Sequence, residues 1–445
     1  MCGIFGIFQY QRRPVDDLQD KLDKAVELLQ HRGPDDHGTF ISPNSCLGLA
    51  HTRLSIIDIA GGHQPLSNED DSIWIVFNGQ IYNYRDLRRR LTAEGHVFKT
   101  DTDTEIIVHL YESKGRRCLD DLRGMFAFAL WDAKKGHLFC ARDRLGQKPF
   151  LYAIDSGTFY LSSEIQPLLR SALISKALSE TALLQCLNVF LPVAPHSMFK
   201  AIHKLTPATA MIVDESGPRR YTYWRPEYMP KFRETEDELA DRLEALVEES
   251  VRLRLMSEVP LGSMLSGGLD SSIVSFFAQK HSSKRLQTFG AFHKDEQARD
   301  VDWRYVNRAA EAIGSDHHHI FYDESGLLDM VPRMVAAFGE PYASINGPVS
   351  LTLAERIRRH VTVALSGNGG DEVFAGYDTY RKTKLLNAAP VQALLNIPSE
   401  RLMAIYADRW RHEDLERSFK KWFWLYPLTL PADQRSGYVT APLSY

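Results

Sequence analysis

The sequence predicts two domains of different architecture: an α+β N-terminal half and an α/β C-terminal half built on a parallel sheet. Three observations lead there. The chain has 445 residues, more than one hydrophobic core ordinarily serves. Residues 1 to about 210 carry many short apolar or alternating runs broken by turn residues. From about 235 onward, apolar strands alternate with helical stretches.

The elements follow in chain order. "GIFGIF", "CLGLAHTRLSIID", "SIWIVFNGQIYNY", "GMFAFALWD", "HLFCARD" and "TFYLSSE" read as strands. "VDDLQDKLDKAVELLQHRG" and "DTEIIVHLYESKG" have helical spacing and end at glycine. "DESGPRRYTYWRPEYMPKFRETED" is polar, with three prolines and mixed charge, and reads as a linker. Beyond it, "EDELADRLEALVEESVRLRL" is an amphipathic helix, and "VPLGSMLSGGLDSSIVSFFAQKH" gives strand, glycine turn and helix. "LQTFGAFH" is a strand, "VDWRYVNRAAEAIG" a helix, "HHHIFY" a strand, and "HVTVALSGNGGDEVFAG" a strand feeding a glycine-rich loop. Such alternation implies helices on both faces of the sheet. The expected division is residues 1–214, a linker at 215–236, and residues 237–445.

Bulk composition narrows the function. Hydrophobic residues make up 44% and charged residues 25%, the balance of an ordinary soluble globular protein. A formal net charge of -4 argues against nucleic acid or an anionic membrane as partner. No apolar run is long enough to span a bilayer, and the N-terminus lacks the basic start and apolar core of a signal peptide. The five cysteines, at 2, 46, 118, 140 and 186, are scattered and form no CxxC pair. That suggests a reducing compartment, with neither a disulfide framework nor a zinc site, and the cytoplasm is the expected location.

Two loops in the second half carry chemistry. "SGGLDSS" lies between an apolar strand and a helix. Gly267 and Gly268 let backbone approach a ligand, and the helix start aims N–H groups at it. Ser266, Ser271 and Ser272 add hydroxyls, and Asp270 adds an anion that among phosphates makes sense only with a cation such as Mg²⁺. No GK[ST] follows, so this is not a Walker loop. "LSGNGGDE" repeats the logic with Gly367, Gly369, Gly370, Asp371 and Glu372. Two such loops at the carboxyl ends of parallel strands suit one ATP and its Mg²⁺, with Asp270 and Asp371 as the natural metal ligands. The plainer alternatives are a serine-capped turn and a solvated acidic turn.

"SGGLDSS" followed by "SGNGGDEVFAGY" resembles the ATP-pyrophosphatase domain of glutamine-dependent asparagine synthetases. That resemblance implies an α/β parallel sheet of the adenine nucleotide α hydrolase-like type. It implies ATP held by Ser266–Ser272 and by Ser366 and Gly367, with Met264 and Ala291 on the adenosine side. Magnesium would fall to Asp270 and Asp371. Such enzymes convert a carboxylate to an acyl-adenylate, release pyrophosphate, and let ammonia displace AMP. His317, His318 and His319 match a family segment at the start of a strand, rather than a metal site.

The first half offers the ammonia source. With Met1 removed, Cys2 would carry its own general base, the α-amino group, whose ordinary pKa of about 7.7–8.0 suits neutral pH. "FNGQIYN" places Asn78, a side-chain donor, beside Gly79, an unhindered backbone N–H, as an oxyanion hole. Arg53 could pair with the α-carboxylate of a free amino acid, and Asp103 with its α-ammonium. Singly, these read as a buried strand cysteine, an Asn-Gly turn, a surface arginine and a capping aspartate.

Together with "MCGIFG" and "HRGPDD", they resemble the class II glutamine amidotransferase pattern across the whole half. The resemblance implies an N-terminal-nucleophile (Ntn) hydrolase fold, an αββα sandwich. Cys2 would be the nucleophile and Asn78 and Gly79 the oxyanion hole. Glutamine would be bound by Arg53, Asn78, Gly79, Gln80 and Asp103, with backbone contacts from Leu54, Ser55, Ile56 and Ile57. Gln80 stands where many members have Glu.

Two departures stand out. Asn368, at the position tied to intermediate formation, replaces a common acid and cannot act as a base. The family carries a further helical region with a motif like "KVDRMSM"; nothing like it is present, so the synthetase domain reads as cut short after "DQRSGYVTAPLSY". The reading is therefore glutamine-dependent, ATP-dependent synthesis of asparagine from aspartate through β-aspartyl-AMP. Another carboxylate acceptor, with "EPYASINGPVS" as acceptor-side loop, stays open, as does a glutaminase-only remnant. A homodimer is among the assemblies allowed.

Overall fold

The computed structural model describes residues 1–294, 301–323, 327–342, 346–378 and 380. The N-terminal half contains strands β1 (Gly3–Gln9), β2 (Asp36–Ile41), β3 (Leu47–Arg53), β4 (Leu66–Ser67), β5 (Ile73–Ile81) and β6 (Gly124–Asp132). They are followed by β7 (His137–Arg142), β8 (Leu151–Asp155), β9 (Thr158–Ser162), β10 (Ile202–Lys204), β11 (Thr209–Asp214) and β12 (Gly217–Thr222). Its helices are α1 (Leu18–Leu29), α2 (Tyr84–Ala93), α3 (Asp103–Lys114), α4 (Cys118–Asp121), α5 (Ile165–Arg170) and α6 (Glu180–Val189).

These strands form two antiparallel six-stranded sheets, ordered β10-β8-β9-β1-β3-β2 and β12-β11-β7-β6-β5-β4. Side-chain alternation turns them into four layers. Ile4 and Phe8 of β1 pack with Val76 of β5 and with Ala127 and Trp131 of β6, between the sheets. Phe5 and Ile7 point the other way, onto Leu22 and Leu29 of α1 and Leu168 of α5. Ile75 and Phe77, with Phe126 and Phe128, face Ile107 and Leu110 of α3 and Leu87 and Leu91 of α2. The result is the αββα sandwich that the resemblance implied.

The second half runs α7 (Glu236–Arg254), β13 (Leu261–Met264), α8 (Leu269–Lys280), β14 (Gln287–His293), α9 (Val301–Ile313) and β15 (Asp316–Tyr322). Then come α10 (Leu327–Phe338), α11 (Asn346–Ile357) and β16 (Val363–Leu365). All four strands are parallel, in the order β15-β14-β13-β16. Phe289 of β14 packs with Leu353 and Ile357 of α11, whereas Phe292 packs with Val306 and Ala310 of α9. Residues of odd and even position along β14 thus meet different helices, as expected of a sheet covered on both faces. Thr235 and Glu238 close a reciprocal capping box at the start of α7. The described residues from Gly367 onward belong to a separate unit, which contains α12 (Gly370–Phe374). Among the described residues, no helix is long and apolar enough to cross a membrane.

Two expectations shift. The stretch read as a linker at 215–236 begins with β12, whose Gly217–Thr222 pairs with β11. Its proline and arginines misled the reading, because β12 is an edge strand, where Pro218 need not donate and charges face water. In "EPYASINGPVS", residues from Asn346 belong to α11, with Pro348 in its first turn, so the acceptor-side segment is partly helical. Residues 343–345 of it, and the segment "DQRSGYVTAPLSY", lie outside the described residues.

Phe128 is fully buried and meets Phe139 edge-on at 5.6 Å. Phe128→Ala should cost about 3–5 kcal/mol, seen as a lowered denaturation midpoint of the N-terminal domain.

Candidate active site

Cys2 immediately precedes β1, which lies between β9 and β3, so the chain start is delivered to one end of the sandwich. The motif "HRGPDD" secures it. The Arg32 carbonyl accepts from the terminal amine at 3.1 Å, while Arg32 Nε donates to the Cys2 carbonyl at 2.9 Å. Arg32 Nη1 in turn pairs with Glu164 at 2.9 Å. Asp35 accepts from the Ser55 N–H at 2.8 Å, which fixes the segment after β3.

A pocket opens beside Cys2. It is lined by Arg53, Leu54, Ile56, Ile57, Asn78, Gly79, Gln80 and Asp103, together with Gln64, Thr102, Thr104 and Lys148. Of the residues expected around glutamine, Ser55 alone is not in the lining; it is buried just behind it. The Cys2 thiol lies 3.8 Å from the Leu54 carbonyl, and burial pushes its pKa up. Burial pulls the Met1 amine down to about 6, with Arg32 and Lys148 adding to the effect.

Asn78 sits on β5 in phase with Val76, the residue that faces the space between the sheets. Its buried Nδ2 has no hydrogen-bond partner among the described residues. An orphaned buried donor is costly, and one aimed into a pocket is ready for an acceptor. Gly79 is forced: a Cβ there would stand 2.3 Å from the Met125 carbonyl oxygen.

Two expected ligands have further duties. Arg53 donates to the carbonyls of Ile57 (3.1 Å), Asp58 (2.5 Å) and Ile59 (3.1 Å), so part of its guanidinium shapes the loop above the pocket. Gln80 donates through Nε2 to the Met256 carbonyl at 2.9 Å, across to the second half of the chain. A glutamate could not make that bond, because a carboxylate only accepts.

Asp103 is the first residue of α3, behind the N-cap Thr102. Its carboxylate accepts from the Ile81 N–H at 2.7 Å, yet burial raises its pKa to about 6.

Gln64, Thr102, Thr104 and Lys148 were not foreseen. Gln64 bridges the sheet and α3, accepting from the Phe77 N–H at 2.8 Å and donating to Thr104 at 3.2 Å. Lys148 comes from "RLGQKPF", a loop held by buried Asp143, which accepts from the N–H groups of Leu145, Gln147 and Lys148. Burial lowers the Lys148 pKa to about 8. The string "RDRLG" was the available signal, since an aspartate that fastens a loop hints that something on the loop needs placing.

In the second half, the loop after β13 folds as a capped turn. The Ser266 and Ser271 hydroxyls lie 2.9 Å apart, and Ser271 donates to the Gly268 carbonyl at 3.1 Å. Gly267 has φ +78°, a conformation that glycine adopts without strain. The outer side of Gly268 is open, with Ser266 Oγ at 3.5 Å the nearest atom to a virtual Cβ. Asp270 and Ser272 lie in the first turn of α8. Met264 and Ala291 pack against the same cluster around Phe289, which puts them on one side of the sheet. Ser366 directly follows β16. In the separate unit, Gly367 and exposed Asn368 lead into α12, whose first turn holds Asp371. His317, His318 and His319 lie within β15, where His317 bonds Thr288 at 2.9 Å and His319 bonds Asn307 at 3.0 Å.

A Cβ on Gly62 would fall 2.2 Å from Arg53 Nη2. Gly62→Ala should therefore displace the guanidinium and cost about 1–3 kcal/mol, measurable by thermal unfolding.

Residues 1–224 match the glutamine amidotransferase domain family, and residues 242–441 match the asparagine synthase family. Asparagine synthetase [glutamine-hydrolyzing] 1 of Bacillus subtilis is 34% identical over 385 residues, 86% of this chain and 60% of that protein. Asparagine synthetase [glutamine-hydrolyzing] 3 of the same organism is 31% identical over 427 residues, 92% of this chain and 68% of its own. Asparagine synthetase B [glutamine-hydrolyzing] of Escherichia coli is 32% identical over 421 residues, 89% of this chain and 68% of its own. This chain thus spans about three fifths to two thirds of the length of these relatives. With both domain families in order along one sequence, the chain belongs to the glutamine-hydrolysing asparagine synthetases.

Proposed function

We propose that this protein hydrolyses glutamine at Cys2 and uses the ammonia, with ATP, to convert aspartate to asparagine. The carrying observation is the unpartnered, buried Nδ2 of Asn78 in a pocket that also holds a thiol, a guanidinium and a carboxylate. That set answers each part of glutamine: its amide carbon, its carboxylate and its ammonium.

In this reading, removal of Met1 leaves Cys2 with the α-amine. The amine takes the thiol proton, and the thiolate attacks the glutamine side-chain carbonyl. The resulting oxyanion is held by Asn78 Nδ2 and the Gly79 N–H. The ammonium returns its proton to the leaving nitrogen, ammonia departs, and water hydrolyses the thioester to glutamate. The surroundings that lower the Met1 amine, burial first and then Arg32 and Lys148, would act in the same direction on a Cys2 amine and favour its free-base form at neutral pH. Arg53 binds the α-carboxylate through the N–H groups not used on the loop, and Asp103 binds the α-ammonium.

In the second half, the open backbone at Gly268 and the first turn of α8 suit phosphate oxygens. Ser266, Gly267, Gly268, Asp270, Ser271, Ser272, Ser366 and Gly367 would hold ATP, with Met264 and Ala291 beside adenosine. The carboxylates of Asp270 and Asp371 are hard oxygen donors that fit Mg²⁺, which would offset pyrophosphate charge. Aspartate attacks the α-phosphate to give β-aspartyl-AMP and pyrophosphate, and ammonia then displaces AMP. Asn368 offers hydrogen bonds there but no base.

The test supplies ATP, Mg²⁺, glutamine and aspartate, and follows glutamate, pyrophosphate and asparagine. Equal formation of pyrophosphate and asparagine is expected. Glutamate without pyrophosphate would remove the synthetase half of the proposal, and pyrophosphate only with a different carboxylate would reassign the acceptor. Cys2→Ala should lower glutamine hydrolysis at least about a thousandfold while ammonia-supported synthesis persists.

Asp103 must be ionised to pair with an ammonium. Its raised pKa of about 6 places the acid limb there. The kcat/KM for glutamine should fall as pH drops through about 6, and Asp103→Asn should raise KM and make the fall shallower, leaving only the limb set by the α-amine.

A further inference from the structure

Along α3 from Asp103, four side chains from three separate segments converge. His109 and Glu112 lie three apart on α3, His96 follows α2, and Glu69 lies in the turn between β4 and β5. We propose that Glu69, His96, His109 and Glu112 form a binding site for a divalent transition metal of the zinc class, distinct from the glutamine pocket.

Spacing is the first support. His109 Nδ1 lies 2.8 Å from Glu112 Oε2 and 3.8 Å from Glu69 Oε1, and His96 Nδ1 lies 3.6 Å from Glu112 Oε2. The donor atoms of Glu69, His96 and His109 all lie within 4.8 Å of one another. Tetrahedral zinc with bonds of about 2.0–2.1 Å sets neighbouring donors about 3.3 Å apart. Three of the separations lie on either side of that edge and the Glu69–His96–His109 donors spread to 4.8 Å, so the side chains would draw together around an ion. Two imidazoles and carboxylates are a donor set that zinc accepts.

The surroundings of the donors are the second support. The other ring nitrogen of His109 faces Glu105 Oε1 at 3.4 Å. Glu105 is fully buried and fixed by the N–H groups of Lys99 and Thr100, both at 2.7 Å, and by the Thr100 hydroxyl at 2.6 Å. A carboxylate behind a histidine fixes its tautomer and raises its basicity toward a metal. The second oxygen of Glu112 is held by Asn68 Nδ2 at 2.7 Å. His109 is fully buried, whereas the side chains of Glu69 and His96 are 40% and 20% exposed, which leaves a route in from solvent.

Charge balance is the third. Three carboxylates, Glu69, Glu105 and Glu112, surround His109. A divalent cation held by the shared donors would offset two of those negative charges. The scattered cysteines led to the expectation of no zinc site; the site proposed here uses no thiolate. Ligands at 69, 96, 109 and 112 have no motif spacing, so only the fold gathers them.

Binding here would tie the β4–β5 turn and the segment after α2 to α3, the helix that begins with Asp103. The test uses the full chain, stripped with a chelator and titrated with Zn²⁺ and with Co²⁺. One equivalent should bind, with the visible absorption of tetrahedral cobalt and a rise in Tm. His96→Ala and Glu69→Gln, both at solvent-accessible positions, should each weaken binding at least about tenfold. Cys2→Ala should leave the stoichiometry unchanged. Absence of a bound equivalent, affinity unchanged in the His96→Ala, Glu69→Gln double variant, or binding lost in Cys2→Ala would each overturn the proposal.

Discussion

Fastening of the chain start is the constraint on which the candidate site depends. β1 is an inner strand, so the residues before it emerge at the end of a packed sandwich. The terminal amine donates to the Arg32 carbonyl there, while Met1 stays half exposed. Arg32 is itself held through Glu164, which also bonds His31 at 2.9 Å. The segment after α1, the start of β1 and the segment after β9 are thereby closed on one another. The placement of Cys2 follows from completed sheet pairing together with the contacts of Arg32.

The same pocket is joined to the second half. The Ile56 carbonyl accepts from the Glu258 N–H at 3.0 Å, and the Glu258 carboxylate accepts from the N–H groups of Asp58 (2.8 Å) and Ile59 (3.3 Å). Those residues form the loop whose carbonyls hold Arg53. Gln80 reaches Met256, and the Arg254 guanidinium stacks over Tyr82 at 4.5 Å. Farther along, Glu340 pairs with Lys204 and accepts from the Met198 N–H at 3.1 Å. The loop over the candidate glutamine pocket is therefore partly built by the domain that would consume ammonia.

Much of the pocket was legible because its parts sit in short, distinctive strings. Asn78-Gly79 could be read as a donor pair, and the structure adds why Gly79 admits no side chain and why Asn78 Nδ2 is left waiting. Arg53 and Asp103 were legible as opposite charges, but not their second roles in bracing a loop and capturing the Ile81 N–H. Gln64 escaped because nothing in its own neighbourhood distinguishes a pocket residue from a surface one, whereas the segment "ARDRLGQKPFLY" resembled a family segment that covers the site without singling out Lys148. The strand β12 escaped because edge strands tolerate the proline and charges that otherwise signal a linker.

What the sequence determined by itself was periodicity and local chemistry. Alternation in "SIWIVFNGQ" and "GMFAFALWD" encodes two-faced strands, and "SGGLDSS" after an apolar run encodes a glycine turn into a helix. These depend on neighbours within a few residues, so they survive reading one letter after another. Tertiary structure alone decided which distant residues meet: Cys2 with Arg53, Asn78 and Asp103, Gln80 with Met256, and Glu69 with His96 and His109. Those meetings are set by sheet order and by the layers that burial imposes, and the cost of closing long loops depends only weakly on their length. Separation along the chain therefore carries almost no information about contact in space.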